Sequence, residues 1–385
     1  MRAVVEAVVD AGTISRARMA RVTGLSKQTI SDAVRELERQ GWLRIGGQSR
    51  GNLGRTATNY EMRKDAAFVF GCDLGGTKLH IALADLSGAI VAEAIAQTDQ
   101  RSGQHLLNQI RATTDKVVRK AKIDRRRVHL GAVGMPGVVD PQTGSLALSP
   151  NIPDFKSANV IEGMRRAFGC NVTIENDVNL AVLGEHWRGR GRGIGNLTFI
   201  ALGTGIGMGL LSDGKLVRGA HGAAAEIGYL PLGADPFDQR NVEAGTFEAV
   251  VGTGGILRRH LEAGGKGTEG VKEIFEAMNA GDPIARRTID DTARWTAIGI
   301  AAVVALFDPE LVILGGGIGT RPEFIARIED HLARCVLKPV PVAPSPLENR
   351  ATLMGAIAMG LGRLYGTVFG ARSFPGASTK ESEAA

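Results

Sequence analysis

The sequence predicts a mixed α/β chain: a small helical head closed by a two-stranded wing, then a much larger body of alternating strands and helices. Three observations carry this expectation. Two serines placed to cap helices, Ser15 and Ser26, stand close together near the start, each followed by helix-forming sequence. After Ala66 the pattern changes to apolar, strand-like runs interrupted by glycine. The 52 glycines among 385 residues are nearly twice the usual share of ~7%, so tight backbone turns must recur. At roughly 100 to 200 residues per domain, the length allows two to four domains.

A first helix is expected near Val4 to Val9, ending at Gly12. Ser15 caps a second helix through Val22, with Ile14 and Met19 placed as a hydrophobic staple, and Thr23 and Gly24 end it. Ser26 caps a third helix from Lys27 to about Gln40, in which Ile30, Val34 and Leu37 form an inward stripe. The polar side and the helix start then present Ser26, Lys27, Gln28, Thr29, Ser31 and Arg35. Two helices joined by a short turn containing glycine make a helix-turn-helix, whose second helix enters the major groove of DNA. Residues Trp42 to Met62 read as two strands around "GGQSRGNLGRTAT", a wing whose Arg50 and Arg55 can meet phosphates or a narrow minor groove.

Charge agrees with this reading. The chain carries +6 in all, of which residues 1 to 65 hold +5 and the remainder only +1. An electropositive head on a neutral body points to a polyanion partner for the head, and the helix pattern narrows that partner to double-stranded DNA. A helical interaction module with a solvated basic face is the plainer alternative.

In the body, "FVFGCDLGGTKLHIALADLSG" reads as a β-hairpin. Its turn, Asp73, Gly75, Gly76, Thr77 and Lys78, offers backbone N–H groups to a phosphate, and Asp73 can hold Mg²⁺ through water. It lacks the GxxxxGK[ST] pattern, which excludes a P-loop NTPase. "FIALGTGIGMGLLSDG" repeats the design around Gly203, Thr204 and Gly205, and "PELVILGGGIG" sets Gly315, Gly316 and Gly317 directly after a buried strand. In "NVTIENDVNLAVLGE" a strand ends at Asn176 and Asp177 before a helix expected to begin near Asn179. Asp177 fits either a helix cap or a general base for a bound hydroxyl. "GAVGMPGVVD", "LSPNIPDF" and "HGAAAEIGY" add Gly137, Asn151 and Glu226.

Taken in order, "SRAxxAxxTGLSxxTxS", "DLGGTK", "GMPGVVD", "NDVNLA", "LGTGIG", "AAAEIGY" and "LGGGIG" resemble the ROK family of repressors, uncharacterised frames and sugar kinases over almost the whole chain. The resemblance implies a winged helix-turn-helix joined to a two-lobed actin-like, hexokinase-like (ribonuclease H-like) ATPase fold. Implied boundaries are 1–65 for the head, 66–178 and 179–350 for the lobes and 351–370 for a helix returning to the first lobe, while residues 371–385, rich in Ser, Glu, Ala and Lys, are expected to be a disordered tail. It further implies sugar contacts at Asn151, Asn176, Asp177, Glu226, Tyr229 and Glu248, with Asp177 the catalytic base of kinase members and Mg-ATP on the glycine loops. Two functions follow as expectations: a sugar-responsive repressor acting as a homodimer or dimer of dimers on an operator, and an ATP-dependent sugar kinase.

The family's structural zinc site, a histidine with CxCGxxGCxE, is expected to be missing. Gln239, Asn241 and Thr246 stand where cysteines belong and Tyr229 where the histidine does, and none of these supplies a thiolate or imidazole. Cys72, Cys170 and Cys335 are far apart, odd in number and form no CxxC, so a reducing, cytoplasmic setting is expected. Arg2, Glu6 and Asp10 interrupt any signal peptide. The longest apolar run, Ala297 to Phe307, is too short for the ~20 residues of a membrane span and reads as a buried helix. "RGRGRGIG" from Arg188 is read as a mobile loop, and the seven histidines show no metal-binding spacing.

Overall fold

The computed structural model describes residues 1–50, 56–139, 146–147, 160–267, 269–372 and 374–376. They form two units, Met1–Asp177 with Leu353–Ala385, and Val178–Thr352.

The first unit opens with the head: α1 (Arg2–Ala11), β1 (Ile14–Ser15), α2 (Arg16–Thr23), α3 (Lys27–Arg39), β2 (Leu43–Arg50) and β3 (Thr56–Met62). Ser15 Oγ accepts from Arg18 N and Ser26 Oγ from Thr29 N, satisfying otherwise unpaired N–H groups of the first turns. Between the helices Gly24 takes the left-handed conformation (φ 69°), which lets the chain turn sharply. Ile30, Val34 and Leu37 are fully buried, as the stripe requires. The strands pair antiparallel in the order β1-β3-β2, so the wing closes the small core.

The body half of this unit contains β4 (Phe68–Leu74), β5 (Lys78–Asp85), β6 (Ile90–Gln97), α4 (Gly103–Ala121), β7 (Val128–Met135), β8 (Val138–Val139), β9 (Leu146–Ala147), α5 (Val160–Phe168) and β10 (Asn171–Asn176). Its sheet runs β10-β7-β4-β5-β6, with β10, β7 and β4 parallel and β4 to β6 antiparallel. Alternation along β4 sends Phe70 to one face, its ring 5.5 Å from that of Phe168 on α5.

α6 (Asp177–Arg188) crosses into the second unit. There follow β11 (Leu197–Leu202), β12 (Ile206–Ser212), β13 (Lys215–Leu216), α7 (Gln239–Ala244), α8 (Glu248–Val251), α9 (Thr253–Glu262), α10 (Val271–Asn279), α11 (Pro283–Phe307), β14 (Leu311–Gly315), α12 (Gly316–Gly319), α13 (Pro322–Cys335) and β15 (Val342–Pro344). The sheet order is β13-β12-β11-β14-β15, with the same mixture of antiparallel hairpin and parallel partners as the first. Each glycine hairpin therefore holds the same topological place in its own sheet. α14 (Ala351–Phe369) then begins in the second unit and returns to the first, where it lies so close to β4 that a Cβ on Gly71 would sit 2.7 Å from Ile357.

Three expectations need correction. The helix after β10 begins at Asp177 rather than near Asn179, making Asp177 its first residue. The arginine–glycine tract is packed: Arg190 N donates to Glu185 Oε2, Arg190 Nε to the Pro344 carbonyl, and Gly191 N to the Glu185 carbonyl. The apolar run of α11 is buried at Ala297, Ile300 and Val303 but leaves the core at its end, where Leu306 is 85% exposed. No described helix is long and apolar enough to cross a membrane.

Candidate functional site

In the head, Ser26, Lys27, Gln28, Thr29 and Arg35 are exposed and Ser31 is half-buried, all on or beside the face of α3 opposite its apolar stripe. Gln28 Nε2 donates to Asp32, and the Arg35 guanidinium lies 3.4 Å from the same carboxylate. Such an exposed pair is weak, so both side chains are available to base edges. Arg50 is in the wing strand β2. Its side chain and Arg55 lie outside the described residues. The sequence reading passed over Arg18 and Arg21 of α2, which are exposed and make no side-chain ion pair among the described residues. In this motif the first helix crosses the phosphate backbone, which was the signal for finding them.

In the first unit, the turn between β4 and β5 is fixed through its carbonyls. Thr98 Oγ1 donates to the Gly75 carbonyl at 2.8 Å, Thr98 N to that of Thr77, and Gln100 Nε2 to that of Gly76. Gly75 N returns to the Lys78 carbonyl. With the turn's carbonyls tied back, the amides of Gly76 and Thr77 have no hydrogen-bond acceptor among the described residues, as an anion-binding turn requires. Gly76 is exposed and has open space where a Cβ would stand. Asp73, at the end of β4, has its carboxyl pushed up to about 7 by burial and by the charge of Asp177, against the lowering pull of Lys78. Those two carboxylates are thus electrostatic neighbours. Asn176 Nδ2 donates to the Gly137 carbonyl at 3.0 Å, orienting the strand end that carries Asp177. Asn151 lies outside the described residues, as does most of the 371–385 tail.

In the second unit, Glu248 opens α8 and its Oε2 accepts from Ile206 N at 3.0 Å, directly after the turn Gly203–Gly205. Burial raises its carboxyl above the ordinary range, and the Ile206 bond offsets part of that. A Cβ on Gly205 would stand 2.3 Å from this carboxylate, so glycine there makes room for Glu248. Thr253 ties down the turn from the other side, its N and Oγ1 donating to the Gly203 carbonyl. Glu226 precedes a 3₁₀ turn at Ile227–Tyr229, which is joined to the start of α8 by Phe247 N donating to the Gly228 carbonyl. Tyr229 is 44% exposed. The structure therefore gathers Glu226, Tyr229, Glu248 and the Gly203–Gly205 turn around one end of β12. Of the third loop, Gly315 faces Phe199 and Gly316 faces the Leu202 carbonyl, so both serve packing, while Gly317 faces open space.

Where the family's zinc ligands would stand, Gln239 Nε2 donates to Glu243 and Asn241 Nδ2 to the Asp235 carbonyl, both within or beside the short helix α7. These amides do not fit a zinc site. Among the described residues no cluster of three His, Cys, Asp or Glu is placed to hold a metal ion.

A DNA-reading winged head on a sugar-kinase-type body defines the class. The chain belongs to the ROK family, whose model matches residues 69–362, and a winged helix-turn-helix DNA-binding model matches residues 1–44. It is 26% identical to a xylose repressor of Caldicellulosiruptor bescii, covering 92% of this chain and 94% of the relative. It is 32% identical to a beta-glucoside kinase of Listeria monocytogenes, covering 76% of this chain and 96% of the relative. Among solved structures, a ROK family glucokinase from Streptomyces griseus in complex with glucose and AMPPNP superposes with TM-score 0.63 at 26% identity, covering 76% of this chain and 99% of that one. A ROK family transcriptional regulator, a homolog of the E. coli MLC protein, shares the fold with TM-score 0.79 at 24% identity, over 95% and 96% of the two chains.

Proposed function

We propose that this chain is a sugar-responsive transcriptional repressor of carbohydrate-metabolism genes. Its head binds a double-stranded operator, and occupancy of the body by a sugar or sugar derivative releases it. The observation that carries this reading is α3: an apolar face sunk in the head's core and a polar face turned outward, on the same chain as a ROK body. The xylose repressor relative spans nearly the whole chain, which makes xylose the first effector to test. A cytoplasmic homodimer or dimer of dimers fits two recognition helices reading half-sites about 34 Å, or a multiple of that, apart.

Ligand changes operator affinity only through its differential affinity for two conformations. α14 offers a route for that change. It starts in the second unit and ends at Phe369, whose ring meets Trp42 edge-on at 5.0 Å, three residues after α3 ends. Asn176, Asp177, Glu226, Tyr229 and Glu248 are the proposed sugar contacts, together with Asn151, which lies outside the described residues. Anisotropy titration with DNA from upstream of the chain's own gene tests the reading. Affinity should fall about 10³- to 10⁵-fold between roughly 50 and 200 mM salt if ~6 to 10 phosphates are neutralised, and xylose or another sugar should weaken it. A flat salt response with no sugar effect refutes it.

A second reading, ATP-dependent sugar kinase alone or combined with DNA binding, is favoured by the open amides at Gly76 and Thr77. Asp73 would then help hold Mg²⁺ and Asp177 would take the proton from a sugar hydroxyl. Turnover of Mg-ATP with a panel of sugars, lost in Asp177→Ala, supports this reading. No turnover on any sugar removes it.

A further inference from the structure

Away from the glycine loops, the first unit carries an open basin of about 560 Å³ whose lining includes four arginines. Arg125 and Arg126 come from the short turn before β7, and Arg165 and Arg166 from the last turn of α5. Glu162 is the lone carboxylate among the lining residues. Three of the four arginines have a carboxylate partner, held with different strength. Arg125 is fixed at the base, paired with Asp115 and donating to the Phe168 carbonyl at 2.6 Å. Gly169 makes room for it, since a Cβ there would stand 2.8 Å from Arg125 Nε. Arg126 pairs with Asp124 but is 91% exposed, where such a pair contributes little. The Arg165 and Glu162 charges are 3.7 Å apart, and Arg166 has no ion-pair partner among the described residues.

Guanidinium forks match the geometry of phosphate oxygens, which can accept two parallel N–H bonds from one arginine. We propose that this basin is a second ligand site, taking a phosphorylated small molecule whose anionic groups bridge Arg126 on one wall and Arg165 and Arg166 on the other, above the fixed Arg125. Its volume lies within the usual range for small-molecule sites. The site also touches the head's support. His129, which lines the basin, has its ring 6.2 Å from that of Trp42, whose backbone N–H donates to the Leu37 carbonyl near the end of α3. Occupancy is therefore sensed beside the recognition helix. The proposal is independent of the sugar site, because none of these residues belongs to it.

The test titrates the full-length chain in low-salt buffer with inorganic pyrophosphate and with fructose 1,6-bisphosphate, followed by calorimetry and by tryptophan fluorescence. Saturable binding is expected, together with a fluorescence change that disappears in Trp42→Phe. The double variant Arg126→Ala/Arg166→Ala should bind about a hundredfold more weakly, roughly tenfold for each lost charge-assisted contact, with its melting temperature and sugar response unchanged. No binding of either probe at millimolar concentration overturns the proposal. Equal binding by the double variant places the anion elsewhere and also overturns it. Reduced operator affinity in the double variant, with neither probe bound by the parent, reassigns the basin to the DNA backbone and overturns it as well. Binding without any fluorescence change removes the link to the head.

Discussion

Replacing Asp73 with Asn should stabilise the first unit at neutral pH and much less in acid. The folded carboxyl titrates at about 7 against an ordinary 3.8, because burial and the Asp177 charge oppose its ionisation. A folded value above the unfolded one means that the folded chain keeps a proton that the unfolded chain releases. Stability is thus fully retained below the unfolded value, falls as pH rises, and levels off above the folded value. At 1.36 kcal/mol per unit, linkage over pH 5 to 8 amounts to about 2.5 kcal/mol lost by the parent chain and not by Asp73→Asn. For a unit of this size, that corresponds to roughly 5 to 10 °C in melting temperature. Thermal melts of both chains at pH 5 and pH 8 read it directly. A difference between the two chains that does not change with pH would refute the reasoning, since lost packing or a lost hydrogen bond would produce that result.

Three further outcomes are expected. Ser26→Ala removes the cap on Thr29 N and should cost the head about 1 kcal/mol, whereas Ser26→Asp keeps the cap but sets a negative charge toward phosphate, so a melt recovers and operator binding by anisotropy does not. Arg35→Ala should weaken specific operator binding by about 1 to 3 kcal/mol while leaving the melt in place, because the pair it loses with Asp32 is exposed. Gly316→Ala meets the Leu202 carbonyl at 2.1 Å from a backbone at φ 79° and should destabilise the second unit by about 2 to 4 kcal/mol, while Gly317→Ala, with nothing within 4 Å, should melt like the parent.

The head was legible in the sequence because everything that defines it is local. A cap reaches three residues, a stripe repeats every three or four, and Gly24 sits where the chain turns. The hairpins were legible for the same reason. Hidden from view was whatever depends on distant pairing. Glu248 anchors the Gly203–Gly205 turn through Ile206, 42 residues away, and nothing near either residue announces it. Asp73 and Asp177 become neighbours only because β4 and β10 flank β7 in one parallel set. The arginine–glycine tract misled for a related reason: its composition is that of a loose loop, yet Glu185 and Pro344 hold it through bonds that no local pattern contains.

The glycines carry this point furthest. A motif treats every glycine alike, but the backbone sorts them by what a side chain there would strike. At Gly205 it would strike the Glu248 carboxylate, at Gly315 the Phe199 ring, and at Gly316 the Leu202 carbonyl, so these residues are required by the fold whether or not a nucleotide ever binds. At Gly76, Gly203 and Gly317 it would meet nothing. Intact glycine motifs are thus weak support for catalysis, because three of the seven loop glycines named above would be kept by packing alone. The question of nucleotide binding narrows to the three open positions. Alanine at Gly317 should leave the fold untouched, so any nucleotide affinity lost in that variant, read by calorimetry with Mg-ATP, reports an approaching ligand rather than a damaged turn. Unchanged affinity would mean that the third loop serves only to close β14 against β11.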